Sequence, residues 1–251
     1  TREHIAFDKV DVLDAGGRLV IGRLDADLRR RLDAYLKLKR FTPIHLADRA
    51  TVSARTAAFD GMPALACAFD SPHPRFAENA ALAKMLTEEA LRGLRRPPPE
   101  PRAMNMAFTD ACAGFRPPGR LRRLSGGPEL WADIAHSPAA VGLAVQGFHT
   151  AVGPRRCAIL FGAAADKPLD PLAQAAVGAA PPVPFTALGV GASAAAVAAA
   201  LERAGALKVE TAGAVDVALT QAAKAVGEDG AILVIGSVAG AAAAAAWVEK
   251  R

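Results

Sequence analysis

Clusters of arginine are the most abundant candidate binding groups in this 251-residue chain, which carries a net charge of +5. They fall at 29–31, 92–96 and 116–123. A guanidinium fork can bind phosphates or a polyglutamate tail, whereas the alternative is an ordinary solvated basic surface. Because no aromatic residues are closely interleaved with these arginines, we do not expect nucleic acid as a partner.

Asp133 and His136 form a second candidate group, three residues apart, just after a strand-like run. A carboxylate can accept hydrogen bonds from hydroxyl groups or position an ammonium group, and an imidazole can bind or exchange a proton. The structural alternative is that Asp133 or Ser137 only caps the helix that follows. Asp166-Lys167 could likewise be a surface ion pair.

A third pattern, Gly189-Val190-Gly191 with Ala194, follows a strand-like run and opens a helix. Glu210 lies about twenty residues further on, where a dinucleotide-binding fingerprint places its acid. Short patterns of this kind are common in alanine-rich helical domains, so a dinucleotide-binding module is the less favoured interpretation.

Strand-like and helix-like segments alternate from residue 129 to the end of the chain. This rhythm predicts an α/β fold in which helices cover both faces of a mostly parallel sheet. Ligands of such sheets gather beyond the carboxyl ends of the strands, where Asp133, Gly162 and Gly236 are expected to converge. The predicted segments run as follows: strands at 130–132, 156–162, 183–188, 207–211 and 231–235, and helices at 138–149, 170–177, 193–204, 215–226 and 239–250.

The first part of the chain is less regular. It predicts strands at 18–21, 42–46 and 64–69, and helices at 25–38 and 76–94, with a basic strand at 120–124 opening the second part. The first helix has an apolar stripe of Leu24, Leu28, Leu32, Tyr35 and Leu36. The second is expected to bury Ala80, Ala83, Met85 and Leu86. Five residues at 97–101, four of them proline, end that helix, so we predict a linker over 96–116.

Six segments, in order, resemble the folate branch of the Mur ligases, the dihydrofolate and folylpolyglutamate synthases. The resemblance covers nearly the whole chain and is to their carboxyl-terminal portion. The segments are Ile5 to Leu24, Glu78-Asn79-Ala80, Pro118-Gly119-Arg120-Leu121, Asp133-Ile134-Ala135-His136-Ser137-Pro138, Phe161-Gly162-Ala163 with Asp166-Lys167, and Ile235-Gly236-Ser237.

The resemblance implies the remainder of a central domain over 1–95, the Pro-rich linker over 96–116, and a Rossmann-like Mur ligase C-terminal domain over 117–251. It also implies an ATP- and magnesium-dependent ligase that activates a folate-like carboxylate as an acyl phosphate, which the amine of L-glutamate attacks. By resemblance, the nucleotide would be held by Asn79, Arg120 and Asp133, and glutamate by His136 and Ser237. Asp133 and His136 would be catalytic, and Lys9 would be a carbamylated lysine near the metal.

Departures from the family pattern argue against activity by this chain alone. The Gly-rich phosphate loop ending in Gly-Lys-Ser or Gly-Lys-Thr appears nowhere in the sequence. Ile134 and Ser137 replace a glycine and an asparagine of the family motif. We therefore expect either a ligase that needs a partner chain or an amino-terminal segment carrying the ATPase domain, or a pseudoenzyme that keeps the fold as a scaffold.

Composition favours a soluble, cytoplasmic protein. The longest apolar stretch near the end, 241–248, is too short to span a bilayer, and the first residues show no leader-like pattern. The three cysteines, Cys67, Cys112 and Cys157, share no metal-ligand spacing, so free thiols in a reducing compartment are expected.

Overall fold

The computed structural model describes residues 1–14, 16–53, 55–69, 72–115 and 117–250. Its contacts divide the chain into two compact units. The first comprises Thr1–Phe69 and Arg75–Phe115, and the second comprises Asp70–Pro74 and Arg116–Arg251. Arg116, one of the basic residues predicted to form a cluster, lies outside the described residues.

The first unit contains four helices and two small sheets among its described residues. Parallel strands β1 and β2 form one sheet, and antiparallel strands β3, β4 and β5 form the other. In chain order the elements are α1 Arg2–Asp11, β1 Gly17–Ile21, α2 Ala26–Leu38, β2 Phe41–His45, a 3₁₀ turn at Leu46–Asp48, β3 Ala50–Val52, β4 Thr56–Phe59, β5 Leu65–Ala66, α3 Phe76–Gly93 and α4 Pro101–Gly114.

Helix α2 forms where its sequence predicts it. Asp25 is the N-cap and accepts a hydrogen bond from the Leu28 N–H at 2.9 Å, which satisfies a donor that the first helical turn leaves without a partner. Leu28, Leu32 and Leu36 recur at intervals of four residues and are buried. The predicted apolar stripe is therefore confirmed.

The prediction of a linker over 96–116 is wrong, because Pro101–Gly114 form helix α4. The proline run does end α3, but its last member occupies the first turn of a new helix, a position that needs no N–H. Glu100 caps that helix by accepting from Ala103 N at 3.0 Å. Met104 and Cys112 of α4 are buried within the first unit, so this segment is part of its folded structure.

Four further differences concern the first unit. Helix α1 and strands β3 and β4 were not predicted, because each is short and has a weak apolar period. The predicted buried face of α3 is partly wrong. Ala80 and Met85 are buried, but Ala83 and Leu86 are exposed and Lys84 is buried in their place.

The second unit contains a six-stranded sheet ordered β10-β9-β8-β11-β7-β6. All neighbours are parallel except β6 and β7. The predicted α/β fold with a mostly parallel sheet is thus confirmed. The elements are β6 Arg122–Gly126, β7 Glu129–Ala132, α5 Pro138–Val152, β8 Cys157–Phe161, α6 Leu169–Ala179, β9 Phe185–Leu188, α7 Ala194–Arg203, β10 Val209–Ala212, α8 Val215–Val226, β11 Ala231–Ile235 and α9 Val238–Glu249.

Two hydrophobic cores cover the two faces of this sheet. Helices α5, α6 and α7 pack with Ile159, Phe161 and Leu233 on one face. Helices α8 and α9 pack with Leu160 and Ile232 on the other. Neighbouring residues of one strand point to opposite faces, so β8 and β11 are apolar throughout and buried along their whole length.

No helix in the described part of the chain is both long enough and apolar enough to cross a membrane.

Candidate functional site

The carboxyl ends of β7, β8 and β11 meet at one edge of the sheet in the second unit. Asp133 N donates to Val234 O at 2.9 Å, and Gly162 N donates to Ile235 O at 3.0 Å. Gly236 has a φ of 99°, and a Cβ there would collide with the Gly162 carbonyl oxygen. The structure therefore places Asp133, Gly162 and Gly236 at the same edge, as the alternating pattern predicted.

Asp133 is the buried acid at this edge, with 1% of its surface exposed. Its carboxylate accepts the Leu121 N–H at 2.7 Å on one oxygen and the Ala135 N–H at 2.6 Å on the other. Burial raises the pKa of the Asp133 carboxyl, while the two backbone hydrogen bonds and the Arg120 charge oppose that rise. Asp133 thus ties the end of β7 to the turn that precedes β6.

That turn holds Arg120 between two fixed neighbours. Gly119 has a φ of 64°, and its carbonyl accepts from Ile134 N at 2.9 Å. Leu121 has a φ of 41° and is fully buried, and its side chain packs against the site of Gly147, where a Cβ would lie 2.8 Å from it. Arg120 is exposed. An arginine on so firmly held a turn is well placed to bind an anion.

Ile134 contributes packing to the same turn. A Cβ on Gly119 would lie 2.6 Å from Ile134 Cγ2, so the isoleucine side chain covers the glycine closely. The residue that departs from the family motif therefore fills space beside Arg120. The sequence offered one signal for this, a bulky residue where the related motif has glycine. The roles of Leu121 and Gly147 had no such signal, because both depend on tertiary contacts.

His136 lies near this turn and is exposed. Its Nδ1 lies 3.1 Å from Ile134 O, and because a carbonyl only accepts, Nδ1 carries the proton and donates. Asp166, in the loop after β8, pairs with Lys167 at 3.0 Å. The Lys167 hydrogen bond, and to a smaller extent the charge of His136, lower the pKa of Asp166. This places the Asp166-Lys167 loop within electrostatic range of His136.

Neither capping alternative from the sequence is correct. Ser137 occupies the N-cap position of α5, but no side chain among the described residues makes a capping hydrogen bond there, and the Asp133 oxygens bind other backbone groups. Asn79 lies within the first turns of α3, whose N-cap is Arg75, and is exposed. Lys9 is exposed in the last turn of α1. Asn79 and Lys9 both belong to the first unit.

Ser237 follows β11 and is buried. Its Oγ accepts the Gly240 N–H at 3.0 Å and so caps α9. The nearby Gly189-Val190-Gly191 loop packs directly on the strand ends. The Val190 side chain fills the space above Gly162, and a Cβ on Gly191 would lie 2.5 Å from Ala163 O. These glycines thus permit close packing between loops.

Among the described residues, no group of three or more His, Cys, Asp or Glu side chains is arranged to hold a metal ion. Magnesium in phosphate-transferring enzymes is usually bound by one or two carboxylates, waters and substrate phosphates, without such a cluster. Arg120, in contrast, fits a phosphate by charge and exposure.

Comparison with known proteins agrees with this architecture. Residues 119–238 match the family model described as Mur ligase, glutamate ligase domain. The matched residues lie within the second unit and include Arg120, Asp133, His136 and Ser237. No curated protein sequence matches the chain.

Solved structures similar to the whole chain are folate-related synthases. Folylpolyglutamate synthase from Mycobacterium tuberculosis, complexed with ADP and AMPPCP, has a TM-score of 0.75 and 21% identity, covering 98% of this chain and 59% of that one. The bifunctional folylpolyglutamate synthase/dihydrofolate synthase from Yersinia pestis, complexed with AMPPNP and Mn, has 0.71 and 20%, with coverage of 100% and 57%. FolC from E. coli, in complex with DHPP and ADP, has 0.72 and 19%, with 100% and 56%.

The predicted resemblance to the carboxyl-terminal portion of a dihydrofolate/folylpolyglutamate synthase is thereby confirmed at the level of fold. The chain spans less than three fifths of the length of each of these structures.

Proposed function

We propose that this chain is a portion or subunit of an ATP-dependent ligase that adds L-glutamate to dihydropteroate or folate. The observation that carries the proposal is the match of residues 119–238 to a glutamate ligase domain, with the Arg120 turn at the strand-end edge of that domain. When bound, ATP and magnesium would supply the activation of the substrate carboxylate as an acyl phosphate.

Each candidate residue has a role that suits its surroundings. Arg120 binds phosphate oxygens, and buried Asp133 positions the turn that presents Arg120. His136 presents its ring to glutamate or nucleotide, and Ser237 shapes the glutamate end of the site by capping α9. On the first unit, Asn79 contacts adenine. Lys9, carbamylated, assists magnesium binding.

The proposal is tested by mixing the chain with partner polypeptides that carry a Gly-rich phosphate loop, together with ATP, magnesium, glutamate and dihydropteroate. We expect nucleotide binding and release of ADP in a productive mixture. Arg120→Ala should reduce nucleotide affinity by about tenfold or more, since a charge-assisted contact is lost. Arg122→Ala, which removes an exposed arginine from β6, is the matched control. Absence of nucleotide binding in every mixture would reject the proposal.

A second candidate is a pseudoenzyme that keeps the fold as a scaffold. Ile134 favours this second candidate. The related motif has glycine at position 134, whereas the isoleucine side chain here covers Gly119. The double variant Ile134→Gly, Ser137→Asn, tested in complex with an intact ATPase domain, separates the two. A gain of ligase activity in the variant supports a ligase ancestor, whereas unchanged inactivity in a correctly folded variant supports the scaffold.

A further inference from the structure

Lys84 is a fully buried lysine on α3 in the first unit. Its Nζ lies 2.5 Å from Glu88 Oε1 and 4.2 Å from the centroid of the Phe59 ring. A buried ion pair adds little net stability, because removing both charges from water costs about as much as their attraction returns. A buried pair of this kind beside a cavity therefore suggests a binding role.

A cavity of about 250 Å³ adjoins this pair. Pockets for drug-sized ligands span roughly 300–1,000 Å³, so a cavity of this size suits a smaller molecule. Its walls are apolar at Phe59, Met62 and Met85 and charged elsewhere. The charged lining residues are Asp48, Arg49, Asp60, Lys84 and Glu88.

The charges around the cavity are unevenly satisfied. Asp48 is bound by Arg29 through two hydrogen bonds of 2.9 and 2.5 Å. Glu88 uses Oε1 for Lys84, and none of the described residues binds its Oε2. Within the described ranges, neither Arg49 nor Asp60 forms an ion pair or a side-chain hydrogen bond. Among the described residues, the cavity therefore offers one unpaired cation, Arg49, one unpaired carboxylate, Asp60, and the Oε2 atom of Glu88.

We propose that this cavity binds a small zwitterionic amino acid with an apolar side chain. Arg49 donates hydrogen bonds to the ligand carboxylate, while Asp60 and the Oε2 atom of Glu88 accept hydrogen bonds from its ammonium group. Phe59, Met62 and Met85 contact the side chain. Lys84 is a positioning residue, since it fixes Glu88 from the buried side. The site lies wholly within the first unit and is independent of the proposed ligase function.

The test is calorimetric or NMR titration of the full chain with valine. Isovalerate, which lacks the ammonium group, and isobutylamine, which lacks the carboxylate, are the two half-ligands. We expect valine to bind and each half-ligand to bind about tenfold more weakly or worse, because each loses one charge-assisted contact.

Two variants assign the binding to this cavity. Arg49→Gln and Asp60→Asn change exposed side chains, so both should fold, and each should weaken valine binding by about tenfold or more. Arg55→Gln and Asp14→Asn, exposed residues that do not line the cavity, should leave it unchanged. Glutamate is titrated in parallel. Glutamate binding at the proposed ligase site should not change in Arg49→Gln or Asp60→Asn, because neither residue has a role there.

Two results would overturn the proposal. One is the absence of valine binding at tens of millimolar. The other is valine binding that neither Arg49→Gln nor Asp60→Asn weakens, which would place the ligand elsewhere.

Discussion

The Asp133 carboxylate accepts hydrogen bonds from two backbone amides. With its two oxygens bound to Leu121 N and Ala135 N, it does for an irregular turn what a capping residue does for a helix end. The family resemblance implies that Asp133 contacts nucleotide. The structure shows that its carboxylate also fixes the turn that carries the exposed Arg120.

We predict that Asp133→Ala lowers the free energy of unfolding by about 2–4 kcal/mol, because two buried N–H groups lose their acceptors. Chemical denaturation measures this change. Asp166→Ala, which removes an exposed carboxylate near the same edge, is the control and should leave the denaturation midpoint unchanged. A loss as small as that of the control would mean that the turn is held by other contacts.

His149, near the end of α5, gives the protein a predictable response to acid. Its Nε2 is buried and has no hydrogen-bond partner among the described residues, and burial lowers the pKa of the ring below the ordinary value of 6.5. The unfolded chain therefore takes up this proton first, so stability is present above about pH 6.5 and is lost as the pH falls through the folded pKa. Thermal melting at pH 7.5 and 5.0 should show a smaller acid-induced drop in His149→Gln than in the parent. His4→Gln, at an exposed histidine, should behave like the parent.

Among the elements, those with a strong apolar period were predictable. Helix α2 and helices α5 to α8 have bounds within a few residues of those expected, because each has a buried face of regularly spaced apolar residues. The bounds of α9 also match, although its alanine-rich sequence has almost no apolar period. Strands β8 and β11 are recognisable as continuous apolar runs. Helix α1 and strands β3 and β4 were missed, since each is short and has a weak apolar period.

Helix α4 shows how a proline run can mislead. Prolines disfavour a helix interior but suit its first turn, so the same residues end α3 and begin α4. We predict that Met104→Ala, at a residue 5% exposed, lowers the free energy of unfolding by about 2–4 kcal/mol. Met106→Ala, at a residue 60% exposed on the same helix, should have little effect. Equal effects would contradict the packing of α4.

At the scale of the whole molecule, the expected free thiols are confirmed, and all three are buried. Burial, reinforced by the neighbouring Cys112, raises the pKa of Cys67 to about 12. Burial also raises the pKa of Cys112 and of Cys157. Because the thiolate is the reactive form, the native protein should react very slowly with a disulfide reagent at pH 8. In denaturant all three thiols should react, and rapid labelling before unfolding would contradict their burial.

The candidate site could be predicted from sequence only in part. The alternating pattern correctly gathered Asp133, Gly162 and Gly236, because strand ends of a parallel sheet share an edge. That pattern could not predict the backbone partners of Asp133, the packing of Leu121 against Gly147, or the covering of Gly119 by Ile134. Each is a contact between distant positions whose residue types have many other uses.

The strand order of the second unit also constrains when this unit can form during synthesis. β11 lies between β7 and β8, yet it follows the other five strands of this sheet in the sequence. Until it arrives, β7 has no parallel neighbour, and the two central strands cannot be joined. Translation must therefore pass through β11 before this sheet can close, and until then apolar strand surface stays exposed in the nascent chain. A premature stop before Ala231 would remove the centre of the sheet, not its margin.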